Sequence, residues 1–532
     1  MFAYDTIGIM QRAKKYFLDA PLVTRIASGL YLLYIAVNMS RPLWFDEVWR
    51  AYQISNWKFI DPDNGSAPIS PLFFLLTKMM TVISNNEITQ RLIVIAVSLL
   101  LPFVTYYVMS RYFGRQIAKI QSVLIMVVPG VIQYSIENKP YVIDIFAIII
   151  LLYCYDQFRR HKVLTYKTSF IALFGLFMSL AANIFIAGLA IAGYIEFKGK
   201  LKDKDKKITI VRLLLIAVVA LIYIVFGYYP QIGGGLLGYW SELGWQGKHG
   251  IELVRYFIES CLDIFQKDLL PLSSFSLRRV NKTYIGYLIS STMVIAMFIS
   301  CKLILRKYRR AVPILVATGL AWVLILLISI KGYWTFGSNR LNIFLFALML
   351  LFLAPIINEF IGKSSTRYRL MKTVLVGVLF FPLMNGLLEI GVTQIKVIKH
   401  IRNEGYFNNQ GEGRYMDEMR YATSIFGPQL QSGDAIISFH FMTKKALMYY
   451  LTDYQGGVAK EEELTFIHDS RTNPLPATSK TFHELAQKHQ SLWVITGVGL
   501  GVDPIKKAGQ DYTILSNKTY GTVMVAHLEK KR

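Results

Sequence analysis

Residues 92–110 read LIVIAVSLLLPFVTYYVMS, a run of 19 residues without a charged side chain, and Arg91 and Arg111 stand at its two ends. A run of this length is enough to cross about 30 Å of hydrocarbon as an α-helix. Further apolar runs of similar length follow along the chain, separated by short basic connections. The sequence therefore predicts a multi-pass α-helical membrane protein.

The composition agrees with this prediction. Of the 532 residues, 54% are hydrophobic and 17% are charged, whereas a soluble domain has about 25% charged residues. The net charge of +24 would suggest nucleic-acid binding in a soluble protein. Here the basic residues lie mostly in short loops, so the positive-inside rule explains them and no nucleic-acid partner is expected. The three cysteines form no CxxC pair and predict no disulfide framework.

The apolar runs predict about eleven membrane spans. They are 22–39, 91–110, 119–135, 141–157, 168–182, 183–197, 208–227, 283–301, 311–330, 341–358 and 373–390. No cleavable signal peptide is evident, so the N-terminus is expected in the cytoplasm. This count places the five most basic connections on the cytoplasmic side. It also requires the apolar stretch 71–76 to lie at the membrane interface rather than cross.

Three segments are then expected outside: the loop 40–90, the loop 228–282 and the tail. The tail is polar, with strand-like runs at 435–439, 492–496 and 522–526 and a helix-like run at 444–454. We therefore predict a transmembrane domain over 1–390 and an extracytoplasmic α/β domain over 391–532.

Two acidic clusters fall on this outer side. Asp46 and Glu47 follow the first span directly, next to Trp44. Adjacent carboxylates at the mouth of a span are costly in lipid and tolerable in a wet cavity. The alternative is a polar end cap with an aromatic belt.

The second cluster lies between the third and fourth spans. If a helix starts near Glu137, then Glu137, Tyr141 and Asp144 share one face. An intramembrane carboxylate such as Asp144 indicates a functional site by default. The alternative is a Lys139–Asp144 pair that only neutralises the charge.

Basic side chains occur on the same predicted side. Arg340 opens the tenth span beside Asn339, and its guanidinium suits a phosphate. Arg278 and Arg279 in the preceding outer loop are further phosphate-binding candidates. The alternatives are an interface-snorkelling arginine and contact with anionic headgroups.

Carboxylates and cations outside the bilayer suit an anionic lipid donor and an acceptor hydroxyl. One carboxylate would take the proton of the acceptor as general base. Arg, Lys or a metal would stabilise the departing phosphate. A divalent metal held by Asp46, Glu47 and water is one option, and the eight histidines form no metal-ligand motif.

These motifs resemble a known family. Asp46-Glu47 after the first span, the Pro-Leu-aromatic stretch at 71–74, Arg91, Tyr-Phe-Gly at 112–114 and Glu-Asn-Lys-Pro-Tyr at 137–141 resemble GT-C membrane glycosyltransferases. The group most similar is the dolichyl-phosphate-mannose protein mannosyltransferase-like one, which includes the bacterial aminoarabinose transferases. The resemblance covers about residues 20–200 and weakens after that.

The resemblance implies a polyprenyl-phosphate-linked sugar donor and an inverting transfer on the outer face. It implies that Asp46 is the catalytic base, that Glu47 orients an acceptor or a metal, and that Glu137 and Lys139 lie in a second catalytic loop. Arg340 would hold the lipid phosphate. Two departures stand out: the histidine that often precedes the Pro-Pro-Leu stretch is missing at 69–70, and Asn138-Lys139 replace Ala-Arg.

The sequence thus predicts a glycosyltransferase of the cell membrane, in a bacterial inner membrane, that acts on a glycan, lipid or protein of the envelope. Trp44, Tyr141 and Asp144 are the expected acceptor-binding or substrate-binding residues. The main rival is a transporter or flippase for a lipid-linked or anionic solute, although no paired repeats are seen. A third reading is an inactive scaffold of the same fold.

Overall fold

The structure is a computed structural model of the chain. It describes residues 22–59, 69–229, 250–256, 258–260, 285–330, 339–362, 387–388, 390–392, 394–403, 418–431, 433–438, 441–457, 465–468, 483–484, 487–497, 511–521 and 523–531. The predicted span 373–390 lies almost wholly outside the described residues, as do Arg278 and Arg279.

The chain is mostly helical, as predicted. Its main helices, in chain order, are α1 (Leu22–Asn38), α2 (Phe45–Ser55), α3 (Pro71–Ile83), α4 (Glu87–Phe113), α5 (Arg115–Val127), α6 (Pro129–Tyr134), α7 (Tyr141–His161), α8 (Tyr166–Met178), α9 (Leu180–Phe197), α10 (Asp203–Ile222), α11 (Ile285–Lys307), α12 (Val312–Ile330), α13 (Asn339–Gly362), α14 (Met419–Phe426) and α15 (Phe441–Met448). A π-helical segment, Tyr223–Tyr228, extends α10.

Six stretches among the described residues are long and apolar enough to cross a membrane. They are Glu87–Phe113, Tyr141–His161, Leu180–Phe197, Asp203–Gly227, Arg309–Ser329 and Asn342–Glu359. The chain is therefore a multi-pass α-helical membrane protein, while the number of eleven spans stays a prediction. The apolar helix α3 has 13 residues, which is shorter than a span needs.

Two predicted spans contain breaks with local causes. The span predicted over 119–135 is two helices, because Pro129 starts α6 and the residue before a proline is driven out of the helical region. Val128 accordingly has φ −73° and ψ 121°. The predicted pair 168–182 and 183–197 is confirmed as two helices, with the break at Ser179. The Ser179 hydroxyl caps α9 by accepting from the Ala182 N–H at 3.0 Å.

Contacts define two compact units. The first contains residues 1–38, 60–75 and 93–390, and the second contains 39–59, 76–92 and 391–532. The tail therefore shares its unit with two short segments from the N-terminal half. The prediction of a boundary at residue 390 had placed those two segments in the transmembrane domain.

Within the first unit, α9 and α12 approach closely. A Cβ added to Gly188 would lie 2.7 Å from the Ala317 carbonyl oxygen, so only glycine fits there. Small residues that let helix backbones touch are typical of packing inside membranes.

The second unit contains a five-stranded sheet in the order β2-β1-β3-β5-β4. Its strands are β1 (Ala435–Ser438), β2 (Thr465–His468), β3 (Ser491–Gly497), β4 (Tyr512–Tyr520) and β5 (Val523–Lys530). β1 pairs in parallel with β2 and β3, and the other pairs are antiparallel. The three predicted strands correspond to β1, β3 and β5, and the small α/β tail is confirmed.

The core of this second unit includes α2. Leu43, Val48, Ala51 and Tyr52 are buried in one cluster with side chains of the tail. The tail residues of the cluster are Met419, Ala422, Phe426, Ile436, Ala446, Leu447, Met448, Tyr449, Tyr450, Leu451, Trp493, Ile495, Val523 and Val525. The helix that carries Asp46 and Glu47 is therefore held by the hydrophobic core of the tail.

Candidate active site

The acidic motif forms the first turn of α2. Trp44 is the N-cap residue, with extended backbone at φ −77° and ψ 164°, and its carbonyl accepts from the Glu47 N–H at 2.8 Å. The Glu47 carboxylate reaches back to the Trp44 N–H at 3.3 Å. This is half of a capping box, and negative charge is favourable at a helix N-terminus. The helix α2 therefore begins within the acidic motif.

Glu47 is completely buried and is bound by a buried arginine. The Arg91 Nε lies 2.9 Å from Glu47 Oε1, and Arg91 Nη2 lies 2.7 Å from Glu47 Oε2. Both side chains are 0% exposed. This two-point geometry is the strongest form of carboxylate–guanidinium pairing. Arg41 Nη2 adds a longer contact of 3.8 Å to Glu47 Oε2.

Arg91 also organises the backbone that leads into α2. Its Nη1 donates to the carbonyls of Arg41 and of Met39, the latter at 3.3 Å. Its Nη2 donates to the Pro42 carbonyl at 3.1 Å. One guanidinium thus joins the start of α4, the connection before α2 and the first turn of α2. A lysine has no planar fork with which to do this.

The two adjacent carboxylates therefore have different environments. Glu47 faces the interior of its unit, whereas Asp46 is partly exposed. Consecutive residues on a helix point about 100° apart, so a locked Glu47 fixes the direction in which Asp46 projects. Of the two carboxylates of this motif, Asp46 is the one accessible to solvent.

The metal considered from the sequence between Asp46 and Glu47 stays a prediction. Both Glu47 oxygens accept from Arg91, so the charge of Glu47 is already balanced by a buried guanidinium. Among the described residues, no group of three or more His, Cys, Asp or Glu side chains has a metal-binding arrangement.

A second buried carboxylate, Glu87, fixes the N-terminus of α4 to the tail. Glu87 Oε1 accepts from Arg420 Nη1 at 2.9 Å, and Oε2 accepts from the Tyr454 hydroxyl at 2.8 Å. Burial, and then the Glu87 charge, raise the pKa of Tyr454 to about 12. Asn85 adds bonds to the Asp453 carbonyl at 3.0 Å and to the Tyr449 hydroxyl at 3.3 Å. Arg91 is therefore carried by a helix end that the tail holds in place.

The tail also contacts α2 and the residues just before it. The Tyr450 hydroxyl accepts from the Leu43 N–H at 3.0 Å, and burial raises the pKa of Tyr450 well above its ordinary value. The buried Lys445 ammonium lies 5.5 Å from the Trp49 ring centroid and 5.7 Å from that of Tyr52. Both distances are within the range of cation–π attraction.

The second predicted loop lies in the first unit and differs from the expectation in one respect. Its helix α7 begins at Tyr141 with Pro140 as N-cap residue, where the predicted span 141–157 begins, so the condition of a helix start near Glu137 is not met. Glu137 lies in a turn, where the Lys139 N–H donates to the Glu137 carbonyl at 2.6 Å. The ring of Pro140 leaves no N–H to continue a helix backwards. Only Tyr141 and Asp144 share a helix face.

The side chains of this loop are buried. Glu137, Asn138 and Lys139 are at most 3% exposed. Asp144 Oδ1 accepts from the Ser179 hydroxyl at 2.6 Å, and this hydroxyl is the one that caps α9. The Tyr134 and Tyr141 rings meet edge to face at 4.9 Å.

The predicted site residues are thus divided between the two units. Trp44, Asp46 and Glu47 belong to the second, whereas the residues from Glu137 to Asp144 belong to the first. Arg340 lies in the first turn of α13, and its side chain is outside the described atoms. The convergence of the two acidic loops on one cavity stays a prediction.

Sequence reasoning missed several residues of these networks. Ser179 carried a signal, because a serine before Leu-Ala-Ala in an apolar run is typical of a helix N-cap. Glu87 had no sequence signal beyond its position at the start of a span. Tyr450 is 407 residues from its partner Leu43, and no local pattern could connect them.

Solved membrane proteins with similar folds exist. The archaeal oligosaccharyltransferase AglB from Archaeoglobus fulgidus, in complex with an inhibitory peptide and a dolichol-phosphate, is 13% identical, with a TM-score of 0.51. The match covers 97% of this chain and 74% of that one. ArnT from Cupriavidus metallidurans bound to undecaprenyl phosphate is 12% identical, with a TM-score of 0.51. That match covers 95% of this chain and 97% of that one.

No protein-family model matches the sequence, and no curated protein matches it either. ArnT in the apo state is again 12% identical, with a TM-score of 0.50. At such identities the likeness concerns the fold. The chain has a GT-C-like membrane fold, and the resemblance noted in the sequence motifs is confirmed at that level.

Proposed function

We propose that this chain is a glycosyltransferase that moves a sugar from a polyprenyl-phosphate-linked donor to an envelope acceptor. The acceptor is a glycan, a lipid or a protein. The observation that carries the proposal is the partly exposed Asp46, directed by a buried Glu47–Arg91 pair. The GT-C-like fold, with neighbours that hold dolichol-phosphate and undecaprenyl phosphate, supports it. We place the enzyme in a bacterial inner membrane with its site on the extracytoplasmic side.

The chemistry assigned to Asp46 is general base catalysis. Asp46 takes the proton of the acceptor hydroxyl while the acceptor oxygen forms a bond to the anomeric carbon of the donor sugar. The bond from that carbon to the phosphate oxygen breaks, and its electron pair leaves with the polyprenyl phosphate. Attack opposite the leaving group inverts the anomeric carbon.

Glu47 acts in this proposal through Arg91 as a positioning residue. A reacting group misplaced by about 1 Å loses about a hundredfold in rate. The five donor contacts of Arg91 to Glu47 and to three carbonyls therefore bear on the rate without touching substrate.

The other predicted residues complete the proposed site. Cations stabilise the departing phosphate, a role that we assign to Lys139, Arg340, Arg278 and Arg279. Glu137 is assigned to the second catalytic loop. Trp44, Tyr141 and Asp144 are assigned to acceptor or substrate binding.

The test is transfer by the purified protein from a polyprenyl-phosphate sugar, with Asp46→Asn as the variant. Loss of a general base lowers the rate by about 10²–10⁴-fold, with unchanged membrane insertion and thermal stability. The matched control is Asp203→Asn, since Asp203 is an exposed first-turn aspartate on α10. Wild-type turnover in Asp46→Asn would remove Asp46 from catalysis.

The same preparation separates the enzyme from a transporter or flippase. Transfer or hydrolysis of the donor in detergent, without any gradient, supports the enzyme. Movement of a lipid-linked solute across reconstituted vesicles, with no sugar released and no effect of Asp46→Asn, would support the transporter instead.

A further inference from the structure

Three arginines surround one buried carboxylate at the C-terminal end of α7. Asp156 accepts from Arg111 Nη1 at 2.8 Å, from Arg160 Nε at 2.9 Å and from Arg159 Nη2 at 3.4 Å. The Asp156 side chain is 1% exposed, whereas that of Arg160 is 52% exposed. One carboxylate neutralises one guanidinium, so the group keeps a positive excess.

Two more arginines join this group from another connection. Arg159 Nη1 donates to the Arg310 carbonyl at 2.9 Å, and the rings of Phe113 and Tyr308 lie 5.9 Å apart. The exposed Arg309 and Arg310 are therefore next to Arg159. The arginine cluster, defined as Arg111, Arg159, Arg160, Arg309 and Arg310, thus combines three separate connections.

The acids nearby do not cancel this charge. Glu359 is engaged by the Lys307 ammonium at 2.6 Å, so that pair is neutral. Glu196 accepts from the Tyr155 hydroxyl at 2.7 Å. Even with Glu196 counted beside Asp156, the five guanidiniums outnumber the carboxylates.

The surroundings are those of a membrane interface. The Arg111 guanidinium lies 4.3 Å from the Tyr107 ring centroid and 5.2 Å from that of Tyr153. Tyrosine rings and arginines at the ends of apolar helices are typical of the headgroup level.

The cluster is distinct from the candidate site. Asp144 and Asp156 both lie on α7, and a rise of about 1.5 Å per residue places them about 18 Å apart along the helix axis. The acidic loop that ends at Asp144 and the arginine cluster therefore occupy opposite ends of the same helix.

We propose that the arginine cluster binds the phosphodiester headgroup of an anionic phospholipid. A guanidinium donates two parallel N–H groups to phosphate oxygens, and Asp156 holds three of these guanidiniums in fixed places. The half-exposed Arg160 and the exposed Arg309 are the members that reach a headgroup. This inference is independent of the proposed function.

The experiment measures lipid retention by the full-length protein in nanodiscs of phosphatidylcholine with added phosphatidylglycerol. Each arginine near an anionic surface contributes about fivefold in affinity. We expect Arg309→Gln and Arg160→Gln each to weaken phosphatidylglycerol binding about fivefold. Arg309 makes no contact to Asp156, so Arg309→Gln leaves the buried ion pairs intact. This variant therefore tests lipid binding even if Arg160→Gln unfolds.

The matched control is Arg115→Gln, an exposed arginine at the start of α5 that lies in the same connection as Arg111 but outside the arginine cluster. Equal losses in Arg115→Gln and Arg309→Gln would overturn the proposal, since they would indicate diffuse attraction rather than a site. Unchanged binding in Arg309→Gln would overturn it too. Full displacement of the lipid by millimolar inorganic phosphate would point to a soluble phosphate ligand and would also reject the phospholipid.

Discussion

The Glu47–Arg91 pair gives the sharpest quantitative prediction. Three variants separate the pair from its surroundings: Glu47→Gln, Arg91→Gln and the double substitution. Each single change leaves a buried charge without its main partner, because both side chains are 0% exposed. The double change removes both charges and leaves two neutral amides that still fill the space.

The expected cost follows from this burial. Removal of one partner of a buried pair costs about 3–5 kcal/mol, a large share of the 5–15 kcal/mol that stabilises a typical domain. The double variant is expected to lose less than the sum of the single variants, with a coupling energy of about 2–3 kcal/mol. The Arg41 contact at 3.8 Å is the interaction that can reduce this coupling.

The assay is equilibrium unfolding of the full chain in detergent micelles, followed by tryptophan fluorescence. Arg115→Gln serves as a control, and a surface change of this kind is expected within about 0.5 kcal/mol of wild type. Additive single-variant effects, or single variants as stable as Arg115→Gln, would refute the assignment of this pair as the support of Asp46.

Three further predictions use the same measurement. Ser179→Ala removes the cap of α9 and the hydroxyl that donates to Asp144, at a cost of about 1–3 kcal/mol, with Ser179→Thr as the milder control. Tyr450→Phe leaves the Leu43 N–H without this acceptor and should cost about 1–3 kcal/mol; no loss of stability would contradict the bond. Burial lowers the pKa of His527, so its contribution is present above pH 6.5 and is lost as the pH falls below that value. His527→Gln should flatten this acid dependence, and an unchanged profile would exclude His527 as its source.

The membrane helices could be predicted because their signal is local. An apolar run such as 92–110 carries its own length and boundaries, and backbone groups in lipid must pair within the helix. The break at Ser179 was near the predicted position for the same reason, since apolar length and a capping residue are both readable in sequence. The helix break at Pro129 could also be predicted from the sequence, but the predicted span 119–135 ran across it.

The candidate site was predictable only in part. The motif at 44–47 indicated carboxylates at the mouth of a span. The sequence did not show that Glu47 is buried and Asp46 partly exposed, because this difference depends on Arg91, which is 44 residues away from Glu47. The strand β4 was missed because most of its residues are exposed, so it lacks the alternation that marks a half-buried strand. The sequence left open whether the helix begins near Glu137 or at Tyr141, because Pro140 suits both the first turn of a helix and the N-cap position that it occupies.

The hydrogen bond from Leu43 to Tyr450 joins residues 407 positions apart, and this has a consequence for biosynthesis. The segment with Asp46 leaves the ribosome long before α14, α15 and the sheet exist, and distant contacts form only after the intervening chain is made. A nascent or prematurely terminated polypeptide that stops before residue 418 would insert its early helices without the scaffold of α2. Any reaction that depends on Asp46 would then begin only once translation of the tail has finished.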